Sequence, residues 1–231
     1  MFYYLNCYLV LSYNYLFLKE YVMPNMKLSC GQNRKKMKFS PYNFLSVHNP
    51  EAISNFVNTV EYEKGQFLYQ PPQRITPIYE IVKGAIRIGT YSPMGIEVCY
   101  DILRPGEFFG NLRYLNGQFS EFAKSLSSVV VREYDCEFFK KITIVEPEIS
   151  EWFNIQVVKR WCRAEERLYA VRSLDAAAKV RKIMCDFQNQ IEDASGRLIN
   201  LQKILTLQDI ADLTGLTRQT VSKVIKDEVL A

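Results

Sequence analysis

The chain has 231 residues, 48% hydrophobic and 23% charged, enough for two modest domains that each bury a core. Its one histidine, His48, excludes multi-histidine metal sites and leaves little room for imidazole-based catalysis. The six cysteines, Cys7, Cys30, Cys99, Cys136, Cys162 and Cys185, lack any metal-ligand spacing and read as reduced thiols in a cytoplasm. The formal charge of +4 resides in residues 1–40, where Lys19, Lys27, Arg34, Lys35, Lys36 and Lys38 outweigh Glu20 by +5, so the remainder is −1 and bulk charge makes no case for nucleic acid.

Residues 1–38 form an N-terminal extension. Met1–Leu18 is uncharged and is followed by a basic run, Arg34 to Lys38. Three readings stay open: a disordered tail or a stretch ahead of a later start at Met26 or Met37, a domain-packing extension, and a membrane anchor. No positive flank precedes the apolar run, and Asn6, Ser12 and Asn14 dilute it, which argues against the anchor. The globular pattern begins near Phe39. His48, beside Asn49-Pro50, reads as a surface residue at a turn.

Residues 39–145 read as a strand-rich domain. Short apolar runs at Phe67–Tyr69, Ile78–Ile81, Ala85–Ile88 and Ile96–Leu103 are broken by Pro71-Pro72, Lys83-Gly84, Ser92-Pro93-Met94-Gly95 and Arg104-Pro105-Gly106-Glu107. Turn residues at this density predict an antiparallel sandwich or jelly roll.

Residues 146–174 predict a long connecting helix. Pro147 suits its first turn, and Phe153, Val157, Trp161, Ala164, Leu168 and Val171 recur at spacings of four or three to make one apolar stripe. Lys159, Arg163, Glu165 and Glu166 lie opposite, as a solvated face. The stripe can pack on its own domain or on a second copy of the chain across a two-fold axis.

Residues 175–231 open with Asp175 as the cap of a helix through Phe187 and end in the strongest signal in the chain, Thr206–Lys226. Ile210, Leu213 and Leu216 supply one apolar face and Val221, Val224 and Ile225 the facing one. Ala211 is small where two helices would cross, Gly215 suits the reversal, and Thr217 suits the next N-cap: a helix-turn-helix. A recognition helix offers its N-terminal side chains to the major groove, which makes Arg218, Gln219, Ser222 and Lys223 the base-facing set. Thr206, Gln208, Thr217 and Thr220 flank that set and suit phosphates.

The segment Tyr79–Ile88, then Gly95-Ile-Glu-Val, then Leu103–Gly110, together with Thr206–Lys226, resembles the Crp/Fnr family of transcriptional regulators from about Phe39 onward. The resemblance implies an α+β fold: an antiparallel β-roll (a double-stranded jelly roll), a long connecting helix that dimerises, and a C-terminal helix-turn-helix domain. It also implies a homodimer on double-stranded DNA with a palindromic operator, RNA polymerase as a candidate protein partner, and no membrane. Nucleotide-binding members carry a phosphate cassette of the form Gly-Glu-Leu and then Arg-Ser or Arg-Thr. Here the effector pocket is degenerate: it starts Gly110-Asn111-Leu112 and continues through Phe119 and Ser120, with Asn111 where Glu is expected and no arginine between Arg113 and Arg132. Without its bidentate partner a buried phosphate loses its compensation, so cyclic AMP is not expected as effector. The many aromatics of the cassette either fill the pocket or line it for a flat ligand such as haem; Cys7 and Cys30 do not reproduce the family's iron–sulfur cysteine cluster. At the recognition helix Arg218 matches the pattern, Gln219 replaces the usual Glu and Lys223 an Arg. The family's wing has no room in Asp227–Ala231, so the helix-turn-helix is expected without a complete wing. The competing reading is a ligand-binding or protein-interaction roll whose helix-turn-helix no longer binds DNA. No nucleophile–base pair, phosphate loop or metal cluster favours an enzyme.

Overall fold

The computed structural model describes residues 39–114 and 119–229, and the expectations for segment 1–38 fall outside the described residues. Two short helices that the strand-rich reading did not anticipate come first, α1 (Pro41–His48) and α2 (Pro50–Phe56), each with proline in its first turn. Asn49 caps α2 by accepting from the Ala52 backbone at 3.2 Å. His48 is exposed and stacks on Phe44, with ring centroids 4.2 Å apart.

Eight strands follow: β1 (Val57–Tyr62), β2 (Phe67–Tyr69), β3 (Ile78–Lys83), β4 (Ile86–Tyr91), β5 (Glu97–Leu103), β6 (Phe108–Phe109), β7 (Phe122–Ser125) and β8 (Val129–Tyr134). They pair antiparallel into two four-stranded sheets, β1-β8-β3-β6 and β2-β7-β4-β5. Leu68, Tyr69, Ile81, Ile88, Phe109 and Val131 meet between the sheets and form the core of the roll. Outside the first sheet, α3 (Cys136–Val145) and the start of α4 (Pro147–Ser173) pack Phe139, Ile142, Ile149 and Trp152 against Ile78 and Tyr134. The buried Glu80 is satisfied there by Ser40 at 2.6 Å, Tyr134 at 2.7 Å and Arg132 at 3.3 Å.

Helix α4 is 27 residues long, about 40 Å at 1.5 Å per residue. Its predicted solvated face is corrected at one position. Arg163 turns onto the roll, 2.6 Å from Glu107 and 3.7 Å from the buried Asp101, where Arg160 and Arg167 also converge at 4.0 and 3.2 Å. The face is covered because β5 lies beneath it, which helical periodicity alone does not reveal.

After Asp175, which accepts from the Ala178 backbone at 2.8 Å, come α5 (Ala176–Asp186), a hairpin of β9 (Gln190–Glu192) and β10 (Leu198–Asn200), α6 (Leu201–Ile204), α7 (Leu207–Thr214) and α8 (Arg218–Val229). One apolar cluster joins Ile183, Ile210, Leu213 and Val221 of these helices to Cys99 and Ile102 of the roll. The fold is α+β: a two-sheet roll, a long helix, and a C-terminal helical region with a short hairpin. Among the described residues, no helix is long and apolar enough to cross a membrane.

Candidate nucleic-acid interface and effector pocket

Helix α7 starts with a reciprocal capping box. The Asp209 backbone donates to Thr206 Oγ1 at 3.0 Å, and the Thr206 backbone donates to Asp209 Oδ2 at 2.9 Å. It ends at Gly215, whose φ of +66° is a left-handed conformation that a side chain would strain. Leu216 N–H closes the turn onto Ala211 O at 3.1 Å, and Thr217 Oγ1 accepts from the Thr220 backbone at 3.1 Å to open α8. Val221, Ala211, Ile210 and Leu213 are buried between the helices.

This packing turns the other side of α8 outward. Arg218, Gln219 and Lys223 are exposed and Ser222 is half-buried; they line one concave surface with Leu207, Lys226 and Asp227. Among the described residues, Arg218, Lys223 and Lys226 enter no ion pair, so their charges face solvent. Of the flanking set, Thr206 and Gln208 are exposed but already bonded: the Thr206 hydroxyl donates to Asp209 Oδ2 at 2.7 Å and Gln208 Nε2 to Asp212 Oδ1 at 2.7 Å. Thr217 and Thr220 share a hydroxyl–hydroxyl bond of 2.9 Å.

The cassette is arranged the other way. Gly110 has φ +116°, and a Cβ there would stand 2.4 Å from Pro77 O, so only glycine fits. Asn111 spends its amide on the loop: Nδ2 donates to Arg74 O at 2.7 Å, and Oδ1 accepts from the Arg113 backbone at 2.8 Å. Arg113, at φ +57°, extends its side chain to Glu137 on α3. Leu112 is half-buried against the α3–α4 cluster. Phe119 packs against the inter-sheet core, its ring 5.5 Å from Tyr69, and Ser120 bonds Thr90 through its carbonyl at 2.7 Å and its hydroxyl at 3.1 Å.

Next to them, Glu121 accepts from the hydroxyls of both Tyr69 and Tyr100. Burial holds its carboxyl above the usual carboxylate range although both tyrosine bonds pull it down, and burial, with the carboxylate nearby, raises both phenols. A cassette that binds phosphate presents cations. This one presents a carboxylate already bonded to the roll.

Residues 59–143 match the family model of the cyclic nucleotide-binding domain. The chain is 24% identical over 177 residues to a CRP-like cAMP-activated global transcriptional regulator of Mycobacterium tuberculosis, covering 76% of this chain and 79% of the relative. It is 28% identical over 174 residues to the global nitrogen regulator of Synechococcus elongatus, covering 72% and 77%. Among solved structures, FixK2 of Bradyrhizobium japonicum superposes with a TM-score of 0.60 at 17% identity, covering 75% of this chain and 85% of its own. The c-di-GMP-responsive regulator CLP of Xanthomonas campestris gives 0.62 at 15%, covering 80% and 92%. At those identities the two structures speak for the fold. By the domain model over residues 59–143 and by these likenesses, the chain is similar to regulators of the Crp/Fnr family.

Its architecture, a cyclic-nucleotide-binding-type roll with a helix-turn-helix, fits a transcriptional regulator of the Crp/Fnr type. Against that frame, the structure divides the stripe read from the sequence of α4. Val157, Trp161, Ala164 and Leu168 are exposed, whereas Phe153 packs on Phe108 with centroids 5.0 Å apart and Val171 lies half-buried under Gly215. Ile155, Val158 and Tyr169, outside the predicted stripe, are exposed with the first group. Sequence reasoning passed over Glu121, whose signal was a carboxylate entering an apolar strand. It also passed over the β9–β10 hairpin, whose signal was Asp193-Ala-Ser-Gly196, where the Asp193 carboxylate accepts from Ser195 at 2.6 Å and from the Arg197 backbone at 3.0 Å.

Proposed function

We propose that the chain is a dimeric, sequence-specific DNA-binding regulator that reads a palindromic operator and does not take cyclic AMP as its effector. The carrying observation is the outward face of α8, where Arg218, Gln219, Ser222 and Lys223 share one concave surface. Arg218 pairs bidentately with guanine O6 and N7, Gln219 with adenine N6 and N7, and Lys223 offers guanine a less directional contact. Thr217 and Thr220, with Thr206 at the cap of α7 and Gln208 in its first turn, bond phosphates by exchanging the bonds they now make within the helix-turn-helix, and so fix the register of the helix. The exposed apolar residues Val157, Val158, Trp161 and Leu168 suit a second copy of α4, which brings two recognition helices to two half-sites. The reading on cyclic AMP rests on Asn111, Ser120 and Glu121, each bonded within the roll.

The test is selection of bound sequences from a random duplex pool with the wild type and Gln219→Glu. The expected result is a two-fold symmetric site whose preference changes at one position per half-site, from adenine toward cytosine. Absence of any enriched sequence overturns the reading, and an unchanged half-site removes Gln219 from the base readers.

A further inference from the structure

Between the cassette and the helix-turn-helix runs a continuous line of charged groups. Lys124 sits on β7, directly after the cassette, and its ammonium lies 3.0 Å from Glu97 Oε1 on β5. The other Glu97 oxygen pairs with Arg87 Nη2 on β4. Arg87 Nη1 lies 3.1 Å from Asp209 Oδ1 on α7, and its guanidinium rests over the Phe122 ring of β7, 5.6 Å from the centroid. Asp209 is fully buried, and its second oxygen is the one that holds Thr206 at the start of α7. One turn on, Asp212 Oδ2 accepts from the Cys99 backbone at 2.8 Å. Both acids of α7 therefore face the roll, while α8 keeps Arg218, Gln219 and Lys223 in solvent.

Resting on the reading of α8 as the DNA-contacting helix, we propose that this line, Lys124–Glu97–Arg87–Asp209, is a lock that lets the roll of the same subunit set the orientation of the helix-turn-helix with no ligand in the cassette. A buried carboxylate without its cation is costly, so α7 sits where Arg87 is. Arg87 is in turn fixed by Glu97, and Glu97 by Lys124 of the strand that follows the cassette. Because the docked face of α7 is opposite the exposed face of α8, the lock orders the DNA-reading surface and does not cover it. A shift of β7 reaches the α7 cap through groups in direct contact, which is the kind of coupling a mutant cycle measures.

The experiment is a cycle of Arg87→Met, Asp209→Asn and their double variant in the full chain. Asparagine keeps an acceptor for the Thr206 cap while removing the charge. Two readouts are taken: amide hydrogen exchange of residues 207–214, and affinity for the selected operator. Expected are about tenfold faster exchange and about tenfold weaker binding for each single variant, with the double variant no worse than the worse single one. Lys124→Met, at the far end of the line, gives a smaller change in the same direction and carries the test if Arg87→Met does not fold. Additive losses, or unchanged exchange in both Arg87→Met and Lys124→Met, overturn the lock; so does tighter operator binding, which would make the contact inhibitory. If the wild type binds no DNA, the proposed function falls while the exchange cycle still decides whether the lock exists.

Discussion

At α8, Arg218, Gln219 and Lys223 stand in solvent with their donors free to meet a partner. Between residues 110 and 125, Asn111, Ser120, Glu121 and Lys124 each bond the roll itself. Both regions correspond to ligand-contacting parts of the family pattern, so the difference lies in where the polar groups spend their hydrogen bonds. A surface meant for an external anion leaves donors open. A pocket that satisfies its own groups gains rigidity and loses a reason to open, because a ligand would have to replace bonds already made.

That contrast separates the effects of substitution. Arg218→Ala is expected to cost about 1–3 kcal/mol of discrimination at one guanine per half-site, measured by competition binding, with the melting temperature unchanged. Equal losses on specific and random duplex would make Arg218 a phosphate contact. Glu121→Ala should do the opposite: leaving the buried Tyr69 phenol unpaired costs about 1–3 kcal/mol of stability, seen in urea unfolding, and adds no cyclic AMP affinity. A gain of nucleotide binding there would mean that Glu121 only blocks an otherwise competent site. Thr217→Ala, which removes the α8 cap, should cost about 1 kcal/mol of stability and loosen exchange in the first turn of the recognition helix.

The smallest effect is on pH dependence. The folded state raises the Glu121 carboxyl above its unfolded value, so in that interval the folded protein binds more protons. Its contribution is full at pH below the ordinary carboxylate range and is lost as pH rises through the raised value. Wild type should therefore lose some stability from acid toward neutral pH relative to Glu121→Gln. Parallel curves for the two proteins would show that the carboxyl titrates normally.

The helix-turn-helix was readable because each of its signals is local. Gly215 needs its positive φ, Thr217 needs only the backbone three residues on, and Ala211 is small for a neighbour within one hairpin. The strands were readable through their turns. What escaped was long-range: Arg87 and Asp209 are 122 positions apart in sequence, and Arg163 looks solvated on a helical wheel until β5 supplies Asp101. Glu121 escaped for a related reason, since it lies just ahead of β7 and its partners Tyr69 and Tyr100 come from β2 and β5. The α1–α2 pair is short and joins, through Leu45, a cluster that includes Tyr134 and Phe139, neither adjacent in sequence.

The central claim is that DNA recognition is intact in this chain while cyclic-nucleotide recognition is not. It is tested most directly by titrating operator DNA in the absence and presence of millimolar cyclic AMP, with a parallel calorimetric titration of the nucleotide alone. The account predicts sequence-specific binding that cyclic AMP leaves unchanged, and no heat of nucleotide binding. Operator binding that appears only with cyclic AMP, or micromolar affinity for the nucleotide, would contradict it.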